Sequence, residues 1–280
     1  MRMAGTVMES RNQLFGIVVQ ARMRSTRCPG KLLYEACGKS ILELQMERLK
    51  RVDVDHLIIA TTPAPEDDAI VAVAEAMGIV CFRGSEEDVL DRYCKAARCF
   101  KLDVVIRIPS DVPFIDPDIV NSMLAEFRQR EDQLDYLSNL HPCTTPDGQD
   151  VEIVHMAALE TAWREAEQAH EREHVLPFVW DNPDRFKVAN WRLPGGSEEW
   201  FYTERWTTDY LEDVQMVQAV FEGMYPENPE FTWRDVFHFL DDHPEIKAIN
   251  QEFAGINYYR HLQGKLKTMS EIRAKLHPDE

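Results

Sequence analysis

The sequence predicts a doubly wound α/β fold with a mostly parallel sheet. Two patterns in the first half of the chain lead there. Short apolar, β-branched runs at residues 14–21, 55–60, 79–82 and 103–108 have the length and composition of buried strands. Between them lie helical segments at 40–50, 66–77 and 86–100. Strands alternating with helices are the mark of parallel βαβ units.

Local signals support each element. Ser40 opens the first helix ahead of Ile41 and Leu44, and Gly78 stands where the second helix needs a left-handed stop. Val89, Leu90, Tyr93 and Ala97 share one face of the third. In the second half, strands are expected at 135–139, 151–154, 186–193 and 200–208, the last two joined by a Gly195-Gly196 turn. Helices are expected at 157–169, 173–181 and 210–224. The organisation read from this is a leader at 1–13, a catalytic-type domain at 14–224 and a helical extension at 225–280. Within that domain, about 14–130 forms a nucleotide-type half and about 131–209 an acceptor and dimer half.

Composition narrows the partners. The formal charge is −18, which disfavours nucleic acid and anionic membrane surfaces, so any phosphate site must be a local cationic cluster, a metal site or both. No run approaches the roughly 20 apolar residues of a membrane helix. The 6 cysteines show neither C-x-x-C pairing nor zinc spacing, which fits a reducing, cytoplasmic setting.

In a doubly wound sheet, ligands bind at the carboxyl ends of the strands. Three loops leave those ends, at 22–31, 61–67 and 109–116, and they hold the unusual residues. The first reads QARMRSTRCPGK from Gln20 to Lys31 and sets Arg22, Arg24, Arg27 and Lys31 within ten residues of a very acidic chain. Ser25 and Thr26 add hydroxyls, and Pro29-Gly30 turns the backbone so that amides can face a cavity. Forked guanidiniums, an ammonium and free amides suit a triphosphate. The loop is neither a G-x-x-x-x-G-K-[ST] nor a G-x-G-x-x-G motif.

In the third loop, Asp111 follows a strand and precedes a proline-fixed turn, a place suited to holding Mg²⁺. Asp116, just before Pro117, suits a helix cap instead. Further on, TTPDGQDVE contains Asp147, Asp150 and Glu152, all hydrogen-bond acceptors when ionised. Asp150 and Glu152 have the same strand parity. Arg172 and His174 sit in the segment EREHV, which opens a helix. Asp209 in RWTTDY, read by itself, is a helix cap.

Taken in order, these strings resemble the cytidylyltransferase family, which includes the CMP-ketodeoxyoctonate and CMP-N-acylneuraminate synthetases. The resemblance is strongest to the branch named for the spore coat polysaccharide biosynthesis protein SpsF. Its patterns run Q-A-R-M-x-S-T-R-L-P-G-K, G-D-x-P, T-F-P-D-G-x-D-V-E, S-x-R-E-H-V and R-W-T-x-D. The chain departs at Cys28, Ser110 and Thr145, where the family usually has Leu, Gly and Phe.

The resemblance spans residues 14–212 and implies a Rossmann-like fold of the nucleotide-diphospho-sugar transferase type, acting as a homodimer. It implies Arg22 and Lys31 on the phosphates, with Ser25, Thr26 and Arg27 shaping the loop. Gln20, Ala21, Thr61 and Ser110 complete the expected nucleotide contacts. Asp209 becomes the second Mg²⁺ ligand beside Asp111, and only the resemblance gives it that role. Asp147, Asp150, Glu152, Arg172 and His174 are the expected acceptor-binding set. The implied reaction transfers CMP from CTP to a small sugar or sugar-acid-like acceptor and releases pyrophosphate. Two alternatives share these residues: transfer from another nucleotide or to a phosphate- or phosphonate-bearing acceptor, and a non-catalytic nucleotide-binding scaffold. A glycosyltransferase would bring an Asp-x-Asp motif; Asp53-Val54-Asp55 has that spacing but precedes a strand.

Overall fold

A computed structural model describes residues 13–256. Strands β1 (Phe15–Gln20), β4 (His56–Thr61), β5 (Val80–Arg83) and β6 (Val104–Pro109) form the predicted parallel half of the sheet. A small hairpin of β2 (Glu35–Ala36) and β3 (Lys39–Ser40) stands apart. Strands β7 (Tyr136–Ser138), β8 (Glu152–His155) and β9 (Val188–Asn190) complete a seven-stranded sheet in the order β5-β4-β1-β6-β8-β7-β9. Strand β8 alone runs antiparallel to its neighbours.

The central strands are buried on both faces. On β1, Ile17 and Val19 join one apolar core and Val18 the other. Helices α1 (Ile41–Leu49), α2 (Asp68–Met77), α4 (Pro117–Gln129), α9 (Leu211–Met224) and α10 (Trp233–Asp242) cover the first face. Helices α3 (Val89–Cys99), α5 (Met156–Glu165) and α7 (Pro177–Trp180) cover the second.

The start and stop signals hold. Ser40 and Glu43 form a reciprocal cap on α1, with Ser40 N–H donating to Glu43 at 2.7 Å and Glu43 N–H donating to Ser40 Oγ at 3.2 Å. Gly78 ends α2 at φ 66°. Asp116 caps α4 by accepting Asp118 N–H at 2.8 Å, and its other oxygen accepts Trp233 N–H at 2.7 Å. One side chain therefore fixes both the end of the Asp111 loop and the start of α10.

Two expectations are corrected. Residues 200–208 do not form a strand. Trp200–Thr203 is a short helix, α8, and beyond it only Arg205 makes a bridge, to Asp147. The aromatic residues that imitate a strand here are spent on packing between helices: the Trp200 ring lies 5.8 Å from Trp233 and 5.2 Å from Phe237. The Gly195 turn is present at φ 76°, but it leads from β9 toward this helix rather than into a hairpin. The single helix expected at 173–181 is two, α6 (Ala169–His174) and α7. Val175 breaks them at φ 76°, and Pro177 starts the second. Of the leader, residues 1–12 lie outside the described residues. Of the extension, so do 257–280; its described part holds α10 and α11 (Pro244–Lys247).

Candidate active site

A cavity of about 580 Å³ opens at the carboxyl ends of β1 and β6. It is lined by Gln20, Ala21, Arg22, Ser25, Thr26, Arg27, Lys31, Ser110, Asp111, Asp147, Asp150, His174 and Asp209 among others, so most of the expected site converges there. The volume suits a nucleotide-sized ligand.

The cationic loop is folded by its own turn and one outside anchor. Gly30 takes φ 73° and its N–H donates to Met23 O at 3.1 Å, closing the loop on itself. Cys28 is buried in the core. Asp67, at the start of α2, accepts Met23 N–H at 2.7 Å and Thr62 Oγ1–H at 2.5 Å. This buried carboxylate ties the loop to the end of β4. Its only sequence signal was an acid in the first turn of the helix expected at 66–77, which reads as dipole compensation.

Lys31 is the centre of the electrostatics. Its ammonium stands 3.4 Å from Asp111 Oδ2 and 3.2 Å from Asp209 Oδ1, residues far apart in the chain. Arg27 adds a second contact to Asp209 at 2.8 Å. Burial alone would raise the Asp209 carboxyl, but Lys31 and Arg27 outweigh it and hold it below the ordinary carboxylate range. Asp209 is therefore no helix cap. Asp213 does that work, accepting the N–H groups of Asp209 and Tyr210 at 2.9 Å each.

The loops carrying the two aspartates are stitched together. The Asp111 carbonyl accepts Thr208 N–H and Thr207 Oγ1–H, both at 2.9 Å. Gln149 bridges within the Asp111 loop from outside, donating to Phe114 O and accepting Asp116 N–H at 2.8 Å each. Gly148 makes the crossing possible: it sits at φ 109°, and a Cβ there would lie 2.6 Å from Trp206 O.

Asp147 and Asp150 form the acidic wall. Burial raises both carboxyls, reinforced at Asp147 by the charge of Asp150 and at Asp150 by that of Asp111 and Glu152, Asp150 to about 7. Asp147 Oδ2 and Asp150 Oδ1 are buried without a hydrogen bond, although Arg205 Nη1 stands 3.8 Å from Asp147. His174 reaches the cavity as a neutral ring, its pKa lowered to about 3 by burial and then by Arg107.

Three expected residues stand apart from the cavity lining. Glu152 is buried in a pair with Arg107 and accepts Tyr136 Oη–H at 2.6 Å. Arg172 binds Asp88 and donates to Trp163 O at 2.7 Å, joining α6 to α3 and α5. Thr61 lies fully buried at the end of β4. Their charge or polarity in a motif was legible, but the long-range partners that occupy Glu152 and Arg172 were not. Among the described residues no group of three or more His, Cys, Asp and Glu side chains is arranged to hold a metal by itself. The oxygen-only pair of Asp111 and Asp209 is of the type a hard cation shares with a ligand's own oxygens. No helix of the described residues is long and apolar enough to cross a membrane.

The chain is 33% identical over 244 residues to an uncharacterized protein of Methanocaldococcus jannaschii, covering 86% of this chain and 96% of the relative. It is 32% identical over 235 residues to the spore coat polysaccharide biosynthesis protein SpsF of Bacillus subtilis, covering 81% and 94%. A solved cytidylyltransferase structure from Leptospira borgpetersenii superposes with a TM-score of 0.78 at 30% identity, over 84% of this chain and 96% of that one. CMP:2-keto-3-deoxy-manno-octonic acid synthetase, solved in complex with CTP, shares the fold at a TM-score of 0.57 and 17% identity, over 75% and 99%. The family model described as cytidylyltransferase matches residues 16–231, a span running from β1 through the Asp111 and Asp209 loops. The chain belongs to the cytidylyltransferase family.

Proposed function

We propose that this protein transfers CMP from CTP to a hydroxyl of a sugar or sugar-acid-like acceptor and releases pyrophosphate, supplying an activated precursor for surface polysaccharide or glycoconjugate synthesis. The observation that carries the reading is the Lys31 ammonium between Asp111 and Asp209, inside a cavity walled by Arg22 and Arg27. The relatives named for polysaccharide synthesis and for CTP-bound CMP-sugar-acid synthesis support it.

In this reading the cationic loop holds the triphosphate. Arg22, Arg27 and Lys31 neutralise its oxygens, and Ser25 and Thr26 fix its turn. The acceptor oxygen attacks the α-phosphorus in line. The bond to the β-phosphate oxygen breaks, pyrophosphate leaves, and the hydroxyl proton passes to solvent. Asp147 and Asp150, on the β8 flank, take hydrogen bonds from the acceptor, and neutral His174 adds a polar contact. Catalysis of this kind rests on positioning and charge stabilisation. Asp111 and Asp209 would hold Mg²⁺, which supplies charge neutralisation on phosphate oxygens when bound. Their carboxylates already face one shared cation, the Lys31 ammonium, which fits such a role. The protein is further proposed to work as a cytoplasmic homodimer.

The test is pyrophosphate release from CTP and, in parallel, UTP against a panel of polyol, amino-sugar and sugar-acid acceptors, with Mg²⁺ or with chelator. Turnover with CTP, lost on chelation and reduced about 10²-fold or more in Asp111→Asn, is expected. Undiminished turnover in that variant would remove Asp111 from the mechanism.

A further inference from the structure

We infer that segment 250–256 is a strap that sets the position of Asp209 and Arg27 in the cavity, with Asn250 and Phe253 as its positioning residues. The inference rests on the transfer reading above. It gives a task to the part of the chain that lies beyond the 16–231 span of the family model.

After α11 the backbone makes one 3-10 turn at Gln251–Phe253 and returns to the cavity, where Ile256 joins the lining. Three contacts fix that return. Asn250 is 3% exposed, and its Nδ2 donates to Arg205 O at 3.0 Å and to Asp213 Oδ1 at 2.8 Å. Arg205 Nη1 donates to Ile256 O at 2.7 Å. The Phe253 ring lies on the Tyr210 ring, with centroids 4.2 Å apart and planes 12° from parallel. Phe253 stands outside both apolar cores of the described residues, so its ring serves this stack and not the packing of the sheet.

Each contact leads to Asp209 or to the cation it holds. The Asp213 carboxylate that Asn250 reaches accepts Arg205 Nε on the same oxygen, and its other oxygen accepts the N–H groups of Asp209 and Tyr210. Without the Asn250 amide that carboxylate is one donor short and the Arg205 carbonyl is left unmatched. The Tyr210 ring that Phe253 covers also carries the Arg27 guanidinium, 5.4 Å from its centroid, and Arg27 in turn reaches Asp209 Oδ1 at 2.8 Å. Ring stacking and cation–π contact both prescribe an orientation as well as a distance. The strap therefore grips Asp209 by its backbone and Arg27 by a ring. Transfer chemistry depends on such placement, since an error of about 1 Å in a reacting group can cost about 10²-fold in rate.

The experiment combines hydrogen exchange, read at the Asp209 and Tyr210 amides, with calorimetric titration of CTP in Mg²⁺ and in chelator. Both are run on the full chain as wild type, Asn250→Ala, Phe253→Leu and Phe253→Tyr. Asn250→Ala and Phe253→Leu are expected to speed exchange at those two amides about tenfold or more and to leave β1 and α4 unchanged. They should also cut the gain in CTP affinity that Mg²⁺ brings by about fivefold or more. Phe253→Tyr keeps the ring and should match wild type in both measurements. Unchanged exchange at Asp209 and Tyr210 overturns the inference, and so does an increase spread evenly over β1 and α4. Faster local exchange with an undiminished Mg²⁺ gain overturns it as well, as does a Phe253→Tyr variant as impaired as Phe253→Leu. Should Asn250→Ala fail to fold, Phe253→Leu, at a partly exposed position, decides alone. A wild type that binds no CTP counts against the transfer reading, and the exchange measurement then still decides whether the strap holds Asp209.

Discussion

Asp213 Oδ2 accepts the backbone N–H of Asp209 at 2.9 Å while the same carboxylate receives Arg205 through Nε and Nη2, both at 2.8 Å. The cavity's second aspartate is thereby held by an acid that never reaches the cavity. Asp213 also accepts from Asn250 at 2.8 Å, so three segments meet on one buried group. Asp213→Ala would leave the Arg205 guanidinium buried against fewer acids. The expected loss is about 3–5 kcal/mol of stability, typical of breaking a buried ion pair. Urea unfolding of the variant against wild type measures it, and a loss below about 1 kcal/mol would show that Arg205 re-pairs with Asp147 or Asp209.

Asp67 should act on binding more than on turnover. Replacing it with alanine frees Met23 N–H and Thr62 Oγ1–H, so the cationic loop loses its tie to β4. A rise of about tenfold in the KM for nucleotide is expected, equivalent to about 1.4 kcal/mol, with kcat changed much less. Steady-state kinetics in the pyrophosphate assay separate the two. A fall in kcat at constant KM would place Asp67 in the chemistry instead.

The acidic wall gives the nucleotide-free protein a pH signature. Burial raises Asp150 from an ordinary 3.8 to about 7, so the folded state retains a proton that the unfolded chain releases. Its contribution to stability is full below about pH 4 and is lost as pH rises through about 7. Thermal melts from pH 5 to 8 should therefore decline more steeply in wild type than in Asp150→Asn. Parallel curves for the two proteins would contradict the assignment.

Gly148→Ala tests the crossing between the Asp147 and Arg205 segments. At φ 109° any side chain is strained, and the added Cβ would meet Trp206 O at 2.6 Å, a backbone atom that cannot swing aside. A cost of about 1–3 kcal/mol from the dihedral alone is expected, with the clash added to it. Denaturant midpoints give the stability, and loss of activity beyond the unfolded fraction would show that the Asp209 segment has shifted.

The residues legible in the sequence were those whose signal is local. Four cations in one short loop after a strand, and an aspartate before a proline turn, stand out without knowledge of the fold. Asp209 was not separable from a helix cap, because an acid ahead of a helix is a cap in most chains; the carboxylate that caps is four residues further, at Asp213. Arg172 and Glu152 were assigned to the acceptor because they sit in family-like strings. Each is instead satisfied by a partner 84 and 45 residues away, Asp88 and Arg107, which no periodicity encodes. Arg92, a buried residue of the cavity lining, escaped notice for the opposite reason. It lies among Val89, Tyr93 and Ala96 on a buried helix face, where a charged residue reads as a surface group until its neighbours are known. The strand expected at 200–208 failed because aromatic enrichment cannot tell a sheet from a junction between helices.

Lys31 and Asp209 stand 178 residues apart in sequence yet share one ion pair. A ribosome must therefore pass Asp209 before the cationic loop meets its second carboxylate. Of its two carboxylate partners Lys31 has only Asp111 until then, so the charge balance of the loop is completed late, when the segment ahead of α9 folds against it.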